Sequence, residues 1–139
     1  MYRQLHFRTR TRFCLALGLL LLSAPLHAVD SDYDQLVLQA RSGQTGGLLS
    51  WLQNQEKQSG LNVNQVADWL QVAGWAGHDD DVVSVWQRYR TQMAIPARGI
   101  AAVAQAYRNL KQWEPSLALW EKARQMEPTN DDLRMDWIL

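Results

Sequence analysis

An all-α fold of helical hairpins, stacked into a short solenoid, is what this sequence predicts, and three observations predict it. The chain matches itself when shifted by 34 residues: Trp86 falls on Trp120, Val85 on Leu119, Val83 on Leu117, Gly43 on Gly77, Ser50 on Ser84 and Leu36 on Leu70. A fixed period of that size marks repeat architectures, whose units bury their apolar faces only against neighbours. Inside each period apolar residues recur at three- and four-residue spacing, the stripe of a helix. Glycine and proline then punctuate the period where helices end and begin. With 47% hydrophobic and 20% charged residues, the composition is that of a packed chain.

Residues 1–28 stand apart from this pattern. They carry Arg3, Arg8, Arg10 and Arg12 and no acidic residue, then an apolar run from Phe13 to Leu22, then "APLHA". A basic head, a short apolar body and a small-residue exit read as a secretory signal peptide cut after Ala28. The run is too short to span a bilayer comfortably. Cys14 opens it instead of following it, which argues against a lipoprotein. Without the leader, ten basic residues face fourteen acidic ones, a net charge of −4. That balance gives no electrostatic case for binding nucleic acid. The only cysteine leaves with the leader, so stability should rest on apolar packing.

The remaining segment, 29–139, divides into units of about 29–62, 63–96 and 97–130, with a fourth cut short at 131–139. The first has helices near Tyr33–Arg41 and Thr45–Gln58, joined through the loose "GQTGG" expected of a terminal repeat. In the second, "NQVADWLQVAGWAG" presents Val66, Trp69, Leu70 and Ala73 on one face, and Gly77 closes the helix. "DDDVVSVWQRYRTQ" then opens on carboxylates, which suit the positive end of a helix dipole. In the third, Ile100, Val103, Ala104 and Tyr107 form the first stripe, and Leu117, Trp120, Ala123 and Arg124 the next. Pro115 is expected to start that second helix, where its missing amide hydrogen costs nothing.

This 34-residue hairpin resembles the tetratricopeptide repeat, whose units stack as a right-handed solenoid. In the third unit the signature falls on Ala104, Tyr107, Trp120, Ala123 and Pro128, with Ile100 and Ser116 departing from the usual aromatic and alanine. In the second it falls mainly on Leu70 and Trp86. The resemblance implies a concave surface lined by first-helix positions: Asn64, Gln71 and Trp75, then Arg98, Gln105, Arg108 and Asn109. Such a polar face with one aromatic suits an extended peptide or a glycan, and equally a solvated surface without a ligand. Ala67 and Ala101 stand where that family's carboxylate clamp needs basic residues, so binding of an acidic C-terminal tail is not expected.

No catalytic chemistry stands out, and no cofactor or metal is expected. "HDDD" at His78–Asp81 is the densest polar cluster, but neighbouring turn residues diverge and no second ligand cluster follows. Helix capping and solvation account for it. With His6 and His27 in the leader, His78 is the one remaining histidine, and no nucleophile elbow accompanies it.

A more specific resemblance lies in the words themselves. "DYDQLVLQARSGQTGGLLSWL", "NQVADWLQVAGWAG", "VWQRYR" and "IPARGIAAVAQAYRNLKQWEPSLALWEKARQMEPTN" resemble the start of the outer-membrane export porins for poly-β-1,6-N-acetylglucosamine, a biofilm polysaccharide. The resemblance covers nearly all of 30–139. It implies a periplasmic repeat region that precedes a C-terminal β-barrel and engages a periplasmic polysaccharide deacetylase, the partly deacetylated poly-N-acetylglucosamine, or both. The barrel, the membrane-bound part, has no counterpart in these residues. The expectation is therefore a non-enzymatic periplasmic scaffold. A generic periplasmic tetratricopeptide adaptor in envelope assembly and an accessory domain of a cell-wall enzyme are the alternatives.

Overall fold

The computed structural model describes residues 27–135, and side chains over 32–133. Apart from its last two residues, the expected leader lies outside the described residues. Among the described residues seven helices follow one another: α1 (His27–Arg41), α2 (Gly46–Gln58), α3 (Val63–Trp75), α4 (Asp79–Tyr89), α5 (Ala97–Asn109), α6 (Trp113–Met126) and α7 (Asp131–Met135). No strand occurs among the described residues, so the chain is all-α there. None of the described helices is long and apolar enough to cross a membrane.

The period is visible in the backbone. Helices α3, α5 and α7 start at Val63, Ala97 and Asp131, and α4 and α6 at Asp79 and Trp113, each 34 residues apart. Three first helices also end alike. Gly43, Gly77 and Lys111, again 34 apart, all have positive φ, at 97°, 73° and 59°. Each donates its amide three residues back, to Ala40, Gly74 and Arg108, and the next residue donates five back, to Gln39, Ala73 and Tyr107. This paired pattern is the Schellman exit, which satisfies the orphan carbonyls and turns the chain. Entry to α3 is built differently. Asn62 accepts from the Gln65 amide at 3.0 Å while Gln65 returns a bond to the Asn62 amide at 2.9 Å, a capping box the sequence reading missed.

Helix α5 lies at the centre, packed on α3, α4 and α6, while α3 also packs on α1, α2 and α4. Val66, Leu70, Val82, Val85, Ile100, Val103 and Ala104 are fully or almost fully buried between them. Close approach is enforced by small residues. A Cβ on Gly99 would sit 2.8 Å from Ile95 Cγ2 and 3.3 Å from the Ala67 Cβ, so a side chain there would displace Ile95 and crowd the contact of α5 with α3. Trp69, Trp86 and Trp120 are buried, and Trp51 is half-buried against Tyr33, with ring centroids 4.7 Å apart.

Several expectations need correction. Helix α6 begins at Trp113, so Pro115 is its third residue rather than its first, still within the turn whose amides lack partners. Leu117 is 54% exposed, and Ser116 takes the inward place with Trp120 and Ala123. A small side chain lets α6 close on α5, and its hydroxyl is satisfied by the Ala104 carbonyl at 2.8 Å. Pro128 is exposed in the turn after α6 and packs against nothing central; it ends the helix instead. His78 occupies the N-cap of α4 without a side-chain bond, so the cap expected from "HDDD" is absent there.

Burial also changes along the array. Leu38 is 63% exposed, although Val72 and Ala106, one and two periods later, are buried. In the later units the preceding helix lies against the first helix, α2 on α3 and α4 on α5. Among the described residues no helix precedes α1 to play that part for Leu38.

Candidate functional site

One carboxylate ties three first helices together. Asp68, on α3, accepts the Tyr33 hydroxyl from α1 at 2.5 Å and forms an ion pair with Arg98 of α5. Arg98 also donates to Gln71 Oε1 at 2.8 Å and reaches the Asn64 carbonyl at 3.4 Å. Burial foremost, and then the hydrogen bond to Asp68 and that carboxylate's charge, push the Tyr33 phenol well above its usual range. Charge-assisted bonds of this kind are short and strong, so the surface they span is held rigidly.

Beside this hub lies a cavity of about 340 Å³ between α3, α5, α6 and α7. Of the residues predicted to line a groove, Gln71, Trp75, Arg98 and Gln105 meet in its wall. Trp75, 52% exposed, stands at the edge with its ring open to solvent. Asn64, Arg108 and Asn109 are not in the wall. Asn64 contributes its carbonyl to Arg98, and Arg108 donates to Gln105 at 2.6 Å. Asn109 accepts from Gln105 at 2.8 Å and donates to Asp79 at 3.0 Å, tying α5 to the start of α4. Ala67 is fully buried, so that position presents nothing to a ligand.

Sequence reasoning missed several residues here, and placed Trp120 in the packing alone. Asp68 was legible: Asn64, Asp68, Gln71 and Trp75 are spaced by four, three and four, one polar face of one helix. Trp120, Asn130, Asp132 and Leu133 complete the wall from α6 and the segment after it. Their arrival depends on how α7 folds back, which helix periodicity does not encode. Trp120 is 4% exposed, and its buried indole N–H has no acceptor among the described residues.

On the second helices a separate polar cluster joins α2 to α4. Glu56 accepts from Tyr89 at 2.7 Å and pairs with Arg88 at 3.0 Å, while the Arg88 guanidinium lies 5.5 Å from the Trp69 ring centre. The Asp79–Asp81 carboxylates are drawn into packing too: Asp81 accepts the Trp69 indole N–H at 3.2 Å. No group of three His, Cys, Asp or Glu able to hold a metal occurs among the described residues.

Comparison with known proteins gives this geometry a setting. Over 112 residues, 81% of its length, the chain is 53% identical to the poly-beta-1,6-N-acetyl-D-glucosamine export protein of Escherichia coli K12. It is equally similar to the protein of that name from Escherichia coli O157:H7. The chain is a sequence relative of these export proteins. It spans only 13% of the length of the export proteins it matches. No family model and no solved structure matches it. The match is long enough to span both the Asp68 hub and most of the helices that carry it, since 112 of 139 residues cannot avoid the middle of the chain.

Proposed function

We propose that the chain serves polysaccharide export without catalysis, as a periplasmic scaffold on the inner side of the outer membrane. Its helices are read as tetratricopeptide hairpins in a right-handed stack, delivered across the inner membrane by the leader at 1–28. The concave face carrying Gln71, Trp75, Arg98 and Gln105 holds a partner: a periplasmic polysaccharide deacetylase, partly deacetylated poly-N-acetylglucosamine, or both. The observation that carries this reading is the 53% identity, over 112 residues, with proteins named for export of that polymer. The 34-residue recurrence of helix starts and of the Schellman exits supports the repeat assignment. A rigid polar face beside an exposed aromatic ring supports the binding role.

Capture experiments test it. The full chain, immobilised, should retain the polymer or the deacetylase, and Trp75→Ala, which removes the exposed ring at the edge of that face, should weaken that capture. Arg98→Ala should weaken it too, because it breaks the pair with Asp68 and frees the Gln71 amide that Arg98 holds in place. Failure of the unaltered chain to retain either partner overturns the reading.

A further inference from the structure

The second helices repeat one junction with its charges changed. Where α2 meets α4, Glu56 pairs with Arg88 at 3.0 Å and accepts the Tyr89 hydroxyl at 2.7 Å. One period later, between the end of α4 and α6, the three places hold Arg90, Lys122 and Ala123. The carboxylate has become a guanidinium, and its partner is still a cation. Ser59 and Gln92 change in the same step to Met93 and Met126. The ion pair that closes the first junction therefore has no counterpart in the second.

A groove of about 190 Å³ stands at that second junction, and its walls include Trp86, Arg90, Met93, Ile95, Lys122 and Met126. Trp86 and Ile95 give it a buried apolar floor, while Met126 is exposed at the rim. Arg90 and Lys122 are exposed, and neither has an ion pair among the described residues. Lys122 lies 5.8 Å from the Trp86 ring centre, which keeps its ammonium over the groove. No carboxylate is in the wall, and Glu121, beside Lys122, is taken up by Arg124.

The first junction indicates what fits the second. A carboxylate from outside the chain can do at Arg90 and Lys122 what Glu56 does at Arg88. A guanidinium matches the two oxygens of a carboxylate, and methionines adapt their shape to a foreign apolar group. The volume is below the usual range for small-molecule pockets, and it suits one or two side chains.

We propose that this groove docks an acidic segment of a partner protein. A side-chain carboxylate of the partner takes the place that Glu56 holds one repeat earlier, and an adjoining apolar side chain lies between Met93 and Met126. The site is on the second helices, away from the first-helix face of the scaffold reading, and does not rest on that reading.

The test uses the full chain with carbon-13 in its methionine methyl groups. Met93→Leu and Met126→Leu assign the two signals. The probe is a short capped peptide of alternating leucine and glutamate, and its control carries glutamine in place of glutamate. Both methyl signals should shift with the acidic peptide, and the glutamine peptide should bind at least about fivefold more weakly. Arg90→Glu copies the first junction, where a carboxylate meets a cation, so the fold should survive. It should weaken binding of the acidic peptide at least about tenfold, because a like charge then fills the place. Unmoved methyl signals at millimolar peptide, equal affinity for the glutamine peptide, or unchanged affinity in Arg90→Glu overturns the proposal. If anionic phospholipid vesicles shift the signals while the peptide does not, the groove is a lipid contact and the proposal fails. Trp75→Ala should leave peptide binding as it was. If it weakens binding as much as Arg90→Glu does, the peptide sits on the first-helix face and the proposal fails too.

Discussion

Lys111 lies 34 residues after Gly77 and adopts the same left-handed backbone, with φ of 59° against 73°. Its amide and that of Gln112 close α5 on Arg108 and Tyr107 at 2.9 and 2.8 Å, as Gly77 and His78 close α3. A Cβ in this region costs about 1–2 kcal/mol, which glycine avoids. Glycine also loosens the unfolded chain, so the net gain is smaller. Lys111→Gly should therefore stabilise the fold by about 0.5–1 kcal/mol, seen as a higher urea midpoint at unchanged m-value.

Removing the Asp68 carboxylate should cost more than removing either of its partners. Asp68→Ala strands the Tyr33 hydroxyl, half-buried between α1 and α3, and leaves Arg98 only its neutral partners, Gln71 and the Asn64 carbonyl. The expected loss is about 2 kcal/mol, the scale for unpairing hydrogen bonds to a charged group. Tyr33→Phe removes one bond only and should cost about 1 kcal/mol. Denaturant unfolding of the two variants, compared side by side, checks the ordering.

Ala104 has no exposed surface, and its carbonyl receives the Ser116 hydroxyl where α5 meets α6. A tryptophan there has no void to enter. Ala104→Trp should cost about 3 kcal/mol or more and broaden or abolish cooperative thermal unfolding. An unchanged melting transition would refute the assigned packing register.

Stability should decline at alkaline pH. Burial first, then the hydrogen bond to Glu56 and that group's charge, push Tyr89 from its ordinary 10.0 up to about 12. Tyr33 is shifted in the same direction. The unfolded chain ionises these phenols near pH 10, while the folded chain keeps its protons. Their contribution is thus complete below about pH 10 and is lost as pH rises through about 12. Tyr89→Phe should flatten that part of the stability profile measured by chemical unfolding.

Much of the fold could be read from the residues because the period repeats three times, and chance matches rarely do. The helices around Val66–Ala73 and Ile100–Tyr107 are amphipathic enough that spacing alone orients them. Leu117 was misplaced because a stripe of large apolar residues looks inward on paper. The structure turns the smaller Ser116 inward, since helix approach rewards a short side chain whose hydroxyl can be met. The groove was half legible. Gln71 and Trp75 share one helix face with Asp68, and Gln105 follows Gln71 by one period. The wall supplied by Asn130, Asp132 and Trp120 comes from another layer, and no local pattern announces it.

The matching exits at Gly43, Gly77 and Lys111 carry an evolutionary consequence. A segment running from Val63 to Pro96 contains a complete hairpin and the joint that shapes it, and Ala97 opens the next at the equivalent place. Duplicating that segment in the gene would insert a ready-made link without requiring any residue to learn a new backbone. Length in such a chain is therefore cheap to change by recombination, whereas the Asp68 hub, which reaches into both neighbours, limits which links can sit side by side.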